Sequence, residues 1–258
     1  MYKDTTKEFA EISKRKLFYL TNNPVGFLIS TMMAGAYVGV GIILSLTLGN
    51  EADPANAKMI MGCFFGITLT LIVFAGAELF SGHTMYMTFG WLYKKIGAFE
   101  VMKDWIICWS GNLLGAMGLS VLFMLGGGGG WMDDGGAIIH QIAEHKVNST
   151  VVELLARGAI CNWLICLAIW MTARTESDTA KCILIFWCLF AFIAAGFEHG
   201  VANMTVFTIS LLGEHSPSVD FWGVWYNLAV VSVGNIIGGA GFIGVAYYLT
   251  GTENLEAG

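Results

Sequence analysis

The stretch "AAGFEHGVANMT", residues 194–205, places Glu198 and His199 side by side in a segment that is otherwise apolar. A similar stretch, "FAGAELFSGHTM" at 74–85, contains Glu78. Each lies within an apolar run longer than thirty residues, at 182–213 and 59–93. A continuous helix of that length would exceed the hydrocarbon core of about 30 Å, and two full spans with a turn would not fit. Both runs therefore predict a helix that breaks at mid-membrane and resumes as a second half-helix.

The composition predicts the same class of protein. Of the 258 residues, 56% are hydrophobic and 12% are charged, about half the charged fraction of an average soluble domain. Six apolar segments carry no Asp, Glu, Lys or Arg: residues 25–50, 59–77, 105–132, 158–173, 182–197 and 221–250. The sequence thus predicts an all-α polytopic membrane protein with six transmembrane helices, the second and fifth of them broken.

The ends of the chain differ from this apolar region. Residues 1–24 are polar and predict an amphipathic N-terminal helix with no cleaved signal peptide. A six-span channel domain at 25–250 and a short tail at 251–258 follow. Ten Lys and Arg residues fall on the side of the N-terminus, whereas the opposite side has only Lys58, Lys146 and Arg157. This bias predicts cytoplasmic termini in a multi-pass protein of the inner membrane.

The two halves of the chain also resemble each other. "AGAELF" at 75–80 aligns with "AGFEHG" at 195–200 at an offset of 120, which places Glu78 on Glu198. "GNLLG" at 111–115 aligns with "GNIIG" at 234–238 at an offset of 123. Three spans per half, at about 25–127 and 150–250, predict an inverted 3+3 repeat with a site near the bilayer midplane.

Ionisable residues inside the membrane are functional candidates by default. Because Glu78 and Glu198 are repeat equivalents, we expect both to act as scaffold, with carboxylates that bind the backbone amides freed at the breaks. His199 aligns with Leu79, so a scaffold role does not explain it, and an imidazole can give a proton or a hydrogen bond to a passing anion. The half-helix N-termini also favour an anion, and an apolar pathway favours the neutral form of a small weak acid.

Other kinds of site are poorly supported. The six cysteines form no CxxC pair, and the glycine-rich run at 126–136 reads as a flexible loop without the residues of a phosphate loop. A haem-binding redox subunit is an alternative. The five histidines are His83, His140, His145, His199 and His215, of which only His83 and His199 lie near mid-membrane. An aquaporin-type pore for neutral solutes would resemble paired NPA boxes, and "VANM" is the only near match. We expect no enzyme activity, cofactor, metal or nucleic-acid partner.

Three segments, "GAELFSG" (76–82), "GAICNWLICLAIWM" (158–171) and "GFEHGVANM" (196–204), resemble the formate/nitrite transporter family, in order and across nearly the whole chain. The segments look most like those of nitrite channels, with formate and hydrosulfide channels as near relatives. The resemblance implies an aquaporin-like fold, a homopentamer in the lipid bilayer and one pore per protomer. It makes nitrite the expected substrate, with a proton supplied by the central histidine, and leaves formate and hydrosulfide as alternatives.

The resemblance also implies roles for individual residues. His199 would be the central pore histidine, and Asn162 a neighbour that orients it or binds it by a hydrogen bond. Lys146, which reads by itself as a solvated loop charge, would be a vestibule lysine that attracts anions. The remaining implied residues are a mobile loop of Leu79, Phe80 and Ser81, and hydrophobic constrictions formed by Leu69, Leu79, Phe65 and Phe192. One departure is Ser81, where the family usually has threonine, so the hydroxyl is kept and a methyl is lost.

Overall fold

A computed structural model describes residues 2–132 and 136–251, apart from the side chains of Trp131 and Ala137. Within these residues every regular element is helical. Residues 133–135 of the predicted glycine-rich loop and 252–258 of the predicted tail lie outside the described part.

The N-terminal helix α1, Lys3–Asn22, packs along the end of the protein by one face. Its buried residues recur at helical spacing: Thr6, Phe9, Ala10, Ser13 and Leu20. The Phe9 ring stacks on Phe89 and Trp170, and the hydroxyls of Thr6 and Tyr93 are 2.7 Å apart. The amphipathic pattern of the sequence therefore corresponds to a docked helix.

The first half of the chain forms three spans. Helix α2 is the first, the second is broken, and α6 is the third. The bounds are α2 Pro24–Asn50, α3 Ala57–Phe65, α4 Ile67–Leu71, a π-turn at Ile72–Gly76, α5 Phe80–Leu92 and α6 Ala98–Leu125.

The second half repeats this order after a short connecting helix, α7. Helix α8 is the fourth span, α9 and α10 form the broken fifth, and α11 begins the sixth. The bounds are a 3₁₀ turn at Gly130–Met132, α7 Ala137–Val147, α8 Val151–Thr172, α9 Asp178–Ala194, α10 Gly200–Leu212, α11 Phe221–Ile236, a π-segment at Ile237–Val245 and α12 Ala246–Gly251. With three spans in each half, the 3+3 arrangement and the breaks in the second and fifth helices match the prediction.

Among the described residues, five continuous elements are long and apolar enough to cross a membrane: Pro24–Asn50, Ala57–Gly76, Ala98–Leu125, Val151–Thr172 and Phe221–Gly251. The fifth span is divided between α9, of 17 residues, and the shorter apolar helix α10, of 13 residues. The fifth span is therefore long enough to cross a membrane only when the two half-helices are counted together.

Each break turns at a glycine in the left-handed region of backbone conformation. Gly76 has φ of 81° and Gly196 has φ of 73°, and the two positions are repeat equivalents at the offset of 120. Residues other than glycine rarely adopt such angles without strain. The chain then passes through residues 77–79 and 197–199 before each second half-helix begins.

Close helix packing holds each half together at equivalent glycines. A Cβ added to Gly115 of α6 would collide with the carbonyl oxygen of Met32 in α2. A Cβ on Gly238 would collide in the same way with the carbonyl oxygen of Ala159 in α8. Small residues at these crossings let the helix backbones touch, as is common in membrane proteins.

Candidate functional site

Two asparagines, which we call the braces, hold the breaks in place: Asn112 at the first break and Asn235 at the second. The backbone amide of Phe80 donates to Oδ1 of Asn112 at 2.9 Å, and the amide of Gly200 donates to Oδ1 of Asn235 at 2.9 Å. Each asparagine caps the first amide of a half-helix, which the helix itself leaves without a partner. Asn112 and Asn235 come from "GNLLG" and "GNIIG", so the sequence repeat corresponds to a repeated structural role.

The amide group of each asparagine binds one carbonyl within the break and one carbonyl of another span. Asn112 donates to the carbonyls of Glu78 at 3.0 Å and Thr31 at 2.7 Å. Asn235 donates to those of Glu198 at 3.1 Å and Gly158 at 2.8 Å. Each break is thereby fastened to the first span of its own half of the chain.

The predicted scaffold role of Glu78 and Glu198 needs correction. Their backbones do help to hold the breaks in place. The Glu78 amide donates to the Ser30 carbonyl and the Glu198 amide donates to the Arg157 carbonyl, each at 3.3 Å. The bonds described for their carboxylates, however, go to side chains and not to freed amides. The neutral amide of asparagine satisfies the amides and carbonyls of the break without placing a charge there.

Each carboxylate instead belongs to a cluster of four side chains. The α1-side cluster contains Lys16, Glu78, His83 and Asp104, in which Glu78 binds Lys16 and lies 2.7 Å from Nε2 of His83. The α7-side cluster contains Lys146, Glu198, Asn203 and Asn227, in which Glu198 accepts bonds of 2.7 Å from both Lys146 and Asn203. The lysines come from α1 and α7, the helices that lie on opposite sides of the spans.

His199 and Ser81 meet between these two clusters. Nε2 of His199 lies 2.6 Å from Oγ of Ser81, and both residues are buried. His199 is the N-cap of α10 and Ser81 lies in the first turn of α5, so the N-terminal ends of the two half-helices converge at this pair. Nδ1 of His199 is buried with no partner among the described residues. This ring nitrogen can therefore form a hydrogen bond with a small ion or molecule that enters the pathway, which we call the guest.

Asn162 does not make the predicted hydrogen bond to His199 within the described contacts. Its Nδ2 donates to the carbonyls of Asn235 at 2.6 Å and Ser81 at 3.3 Å, and to Oγ1 of Thr84 at 2.9 Å. Asn162 thus connects the second brace to the helix turn that carries Ser81. It can position His199 only indirectly, through Ser81 and through Asn235, which binds the amide of the neighbouring Gly200.

Two cavities of about 420 Å³ each approach the Ser81–His199 pair from opposite sides. Leu69 and Leu79 line the cavity on the α1 side, together with Lys16 and Glu78. Phe192 and His199 line the cavity on the α7 side, together with Lys146, Lys58 and Arg157. Lys181 also lines the α1-side cavity, so basic residues outnumber the glutamates in both walls, and most of the remaining lining residues are apolar.

The four residues predicted as constrictions, Phe65, Leu69, Leu79 and Phe192, are all at most 4% exposed. The rings of Phe65 and Phe192 meet edge to face with centroids 5.2 Å apart, and the Phe192 ring also contacts His199. Of the predicted mobile loop, only Leu79 lies in the break, as the N-cap of α5. Phe80 and Ser81 begin the helix because the brace from Asn112 fixes the Phe80 amide.

Lys146 is not a solvated loop charge. It lies near the end of α7, its side chain is 14% exposed, and it binds a Glu198 side chain that is 5% exposed. The α7 segment is short and mixed in polarity, so its pattern hardly indicates a helix. Both mid-membrane histidines have side-chain partners, since His83 lies between two carboxylates and Nε2 of His199 contacts Ser81.

Several residues of the site were not predicted. Lys16 was counted only as an indicator of topology, and His83 only as a possible haem ligand. Asp104 and the two bracing asparagines were not assigned roles. The repeat did contain a signal for the asparagines, because each stands at the same position of a matching segment.

Comparison with known proteins agrees with this architecture. The family described as "Formate/nitrite transporter" matches residues 3–249. The chain belongs to the formate/nitrite transporter family. Nitrite transporter NirC of Escherichia coli (strain K12) is 46% identical over 251 residues, which cover 96% of this chain and 92% of that protein.

Two solved structures of this family extend the comparison to three dimensions. A structure described as an FNT family ion channel superposes with a TM-score of 0.93 at 44% identity, covering 96% of this chain and 98% of the other. A pentameric formate channel with formate bound superposes with a TM-score of 0.77 at 26% identity, covering 89% and 98%.

Proposed function

We propose that this protein is a channel for nitrite, in which a small anion passes between two cationic cavities through an apolar barrier that contains His199. The observation that carries the proposal is the buried Ser81–His199 pair, with apolar constrictions of leucine on one side and phenylalanine on the other. Burial of a polar pair in apolar surroundings costs free energy, and such pairs in membrane proteins mark the pathways of transported ions and molecules.

The route begins with electrostatic attraction. Lys16 and Lys146 line the two cavities, and the N-terminal ends of α5 and α10 point their partial positive charge towards the centre. Each lysine is balanced by a glutamate, so the cavity walls attract an anion without trapping it as an isolated cation would. The anion is thus brought to the constrictions with only part of its hydration removed.

The constrictions then oppose the charged form of the guest. Transfer of an unpaired anion past Leu69, Leu79, Phe65 and Phe192 would carry a large desolvation cost, whereas a neutral acid would cross with a small one. In this mechanism His199 supplies a proton or a strong hydrogen bond at the barrier, and Ser81 completes the proton exchange at Nε2. Asn162 positions Ser81 and does not touch the guest.

The choice of nitrite rests on relatedness. The relative at 46% identity is named a nitrite transporter, whereas the channel with formate bound is 26% identical. Formate and hydrosulfide share the small size and weak acidity on which the mechanism depends, and they are the alternatives to be tested in the same assay.

We also propose a homopentamer in the inner membrane with cytoplasmic termini. Support for the assembly comes from the pentameric relative and from large apolar side chains on the outside of the protomer, such as Trp187, Leu122 and Trp222. Support for the orientation comes from the excess of Lys and Arg on the α1 side. In this orientation the α1-side cavity opens to the cytoplasm.

Flux of nitrite, formate and hydrosulfide into proteoliposomes, measured side by side, tests the proposal. The unmodified protein should pass nitrite fastest, and His199→Asn should lower the flux by about tenfold or more, as expected for loss of an interaction worth at least one strong hydrogen bond. His215→Asn is the matched control, because His215 is exposed and outside the pathway. An unchanged rate and pH dependence in His199→Asn would contradict the mechanism, and no flux of any anion would contradict the function.

A further inference from the structure

The two charged clusters are repeat equivalents, but they differ in chemistry at two positions. Glu78 and His83 correspond to Glu198 and Asn203 at the offset of 120, and Asp104 corresponds to Asn227 at the offset of 123. The contacts correspond as well. His83 bridges Glu78 and Asp104 at 2.7 Å each, and Asn203 bridges Glu198 and Asn227 at 2.7 and 2.8 Å. A titratable pair therefore occupies the place of a pair that cannot titrate.

The bridging geometry of His83 requires an additional proton. Nδ1 lies 2.7 Å from Oδ2 of Asp104 and Nε2 lies 2.7 Å from Oε2 of Glu78, so both ring nitrogens face carboxylate oxygens. A neutral imidazole has only one N–H, which would leave a nitrogen lone pair against a carboxylate. Both contacts become hydrogen bonds when the ring is an imidazolium, or when one carboxyl group is protonated. Either way, the cluster carries one more proton than a neutral histidine between two carboxylates.

The surroundings isolate this proton from water. His83 and Asp104 are both fully buried, and Oδ1 of Asp104 has no partner among the described residues. From α2 and α5 the rings of Phe27 and Tyr86 lie 5.9 Å from the imidazole. The neighbouring element α6 also contributes Trp105, whose indole N–H donates to the His83 carbonyl at 3.2 Å.

The other charged or titratable groups nearby are few. Lys16 of α1 binds Glu78 and stands 5.2 Å above the Tyr86 ring. Cys108 of α6 donates to the Glu78 carbonyl at 3.3 Å. The proton is therefore shared among His83, Asp104 and Glu78, with Lys16 as the neighbouring cation.

The proton sets the net charge of the cavity wall. With it, Lys16 and His83 balance Glu78 and Asp104, and the α1-side cluster is neutral. The α7-side cluster is neutral without any such proton, because Lys146 balances Glu198 and the two asparagines carry no charge. Loss of the proton on the α1 side would leave one uncompensated negative charge behind the Glu78 that lines the anion's cavity.

We propose that His83 and Asp104 are positioning residues that hold a proton behind the α1-side cavity, and that this proton controls how readily anions enter from that side. Release of the proton reduces anion entry from the α1 side and leaves entry from the α7 side unaffected. The inference rests on the proposed anion channel, but it does not depend on which anion is physiological.

The α7-side cluster supplies the design of the test. The double variant His83→Asn, Asp104→Asn copies the Asn203–Asn227 pair into the α1 side, whereas His83→Asn alone leaves Asp104 without a counter-charge. Initial nitrite flux would be measured in oriented membrane vesicles containing the full-length protein, with the pH varied on the α1 side alone. Protonation of nitrite and of His199 affects both proteins alike. Its effect therefore cancels when the flux of the unmodified protein is divided by that of the double variant at each pH.

We expect this ratio to fall by about three- to tenfold as the α1 side is made alkaline, the effect of one added charge at a partly hydrated site. The single variant should be slow at alkaline pH, where Asp104 is ionised without a counter-charge, and the second substitution should restore its flux there. A ratio that stays constant, or a single variant as fast as the double at alkaline pH, would overturn the inference. If the unmodified protein passes no nitrite, formate or hydrosulfide, the proposed function itself fails.

A reciprocal variant covers the case in which His83→Asn alone does not assemble. Asn203→His with Asn227→Asp places the proton-holding pair in the α7-side cluster. It should create the same alkaline loss of flux when the pH is varied on the α7 side. Flux that is insensitive to pH on that side would also overturn the inference.

Discussion

The break after Gly76 and the break after Gly196 are built from the same parts but are used differently. Both turn at a glycine with positive φ, both are braced by an asparagine from the following span, and both place a glutamate against a lysine. These shared features make one structural device in two copies. They set the shape of the pathway and carry no preference between its two directions.

The differences are found where the two halves meet the guest. His199 is equivalent to Leu79, and its partner Ser81 is equivalent to Val201. Asn162, which positions Ser81, is equivalent to Gly35 when the first and fourth spans are aligned on Thr31 and Gly158, whose carbonyls bind the two equivalent asparagines. A repeated scaffold can therefore present a single polar pair, because each half contributes a different member of it.

The comparison predicts that loss of either brace has a large and similar effect on stability. Asn112→Ala and Asn235→Ala each remove three hydrogen bonds and leave buried backbone groups without partners. Each should cost about 3 kcal/mol or more, and lower the melting temperature by about 6–12 °C. Thermal unfolding followed by loss of the oligomer on size-exclusion chromatography would measure both.

Asn56→Ala is the matched control for the braces, since Asn56 is an exposed asparagine that makes no side-chain cap at the start of α3. It should leave the melting temperature unchanged within error. If one brace variant behaved like this control while the other unfolded, the two breaks would not be equivalent devices.

A smaller effect is expected where the two halves differ. Ser81→Ala removes the bond to Nε2 of His199 and should lower nitrite flux by about tenfold, while the fold remains intact. Ser81→Thr keeps the hydroxyl and should retain flux within about twofold of the unmodified protein. Flux assays in proteoliposomes would compare the two variants. Equal loss in both would indicate that side-chain volume and not the hydroxyl matters at this position.

Much of the fold could be predicted because the membrane imposes simple length rules. Runs too long for one span and too short for two identified both breaks, and the repeated "AGAELF" and "AGFEHG" segments identified their equivalence. His199 emerged as a candidate because its repeat partner is Leu79. These inferences use positions along the chain, which the sequence contains directly.

The partners of each side chain could not be predicted in the same way. Glu78 and Asp104 meet at His83 only because the break, α5 and α6 pack together, and no local pattern encodes that contact. From the sequence, Lys16 is one of the ten basic residues that indicate topology, with no partner assigned. The role expected for the glutamate carboxylates was wrong for a related reason, since an asparagine more than thirty residues away from each glutamate competes successfully for the amides of the break.

The smallest predicted effect concerns α1, which contacts the first break through Lys16 and also forms an exposed ion pair between Glu11 and Lys95. These two side chains are 48% and 44% exposed and 2.7 Å apart, so solvent screens their attraction and Glu11→Gln should hardly change the melting temperature at neutral pH. The hydrogen bond and charge of Lys95 lower the pKa of Glu11 below its ordinary 4.5.

A carboxyl whose pKa is lowered by folding stabilises the protein above its unfolded pKa and loses that contribution as the pH falls through the folded pKa. Any difference between Glu11→Gln and the unmodified protein should therefore vanish in acid, as melting curves on either side of pH 4.5 would measure. A large loss at neutral pH would mean that the exposed pair, and not the buried contacts of α1, keeps Lys16 at the first break.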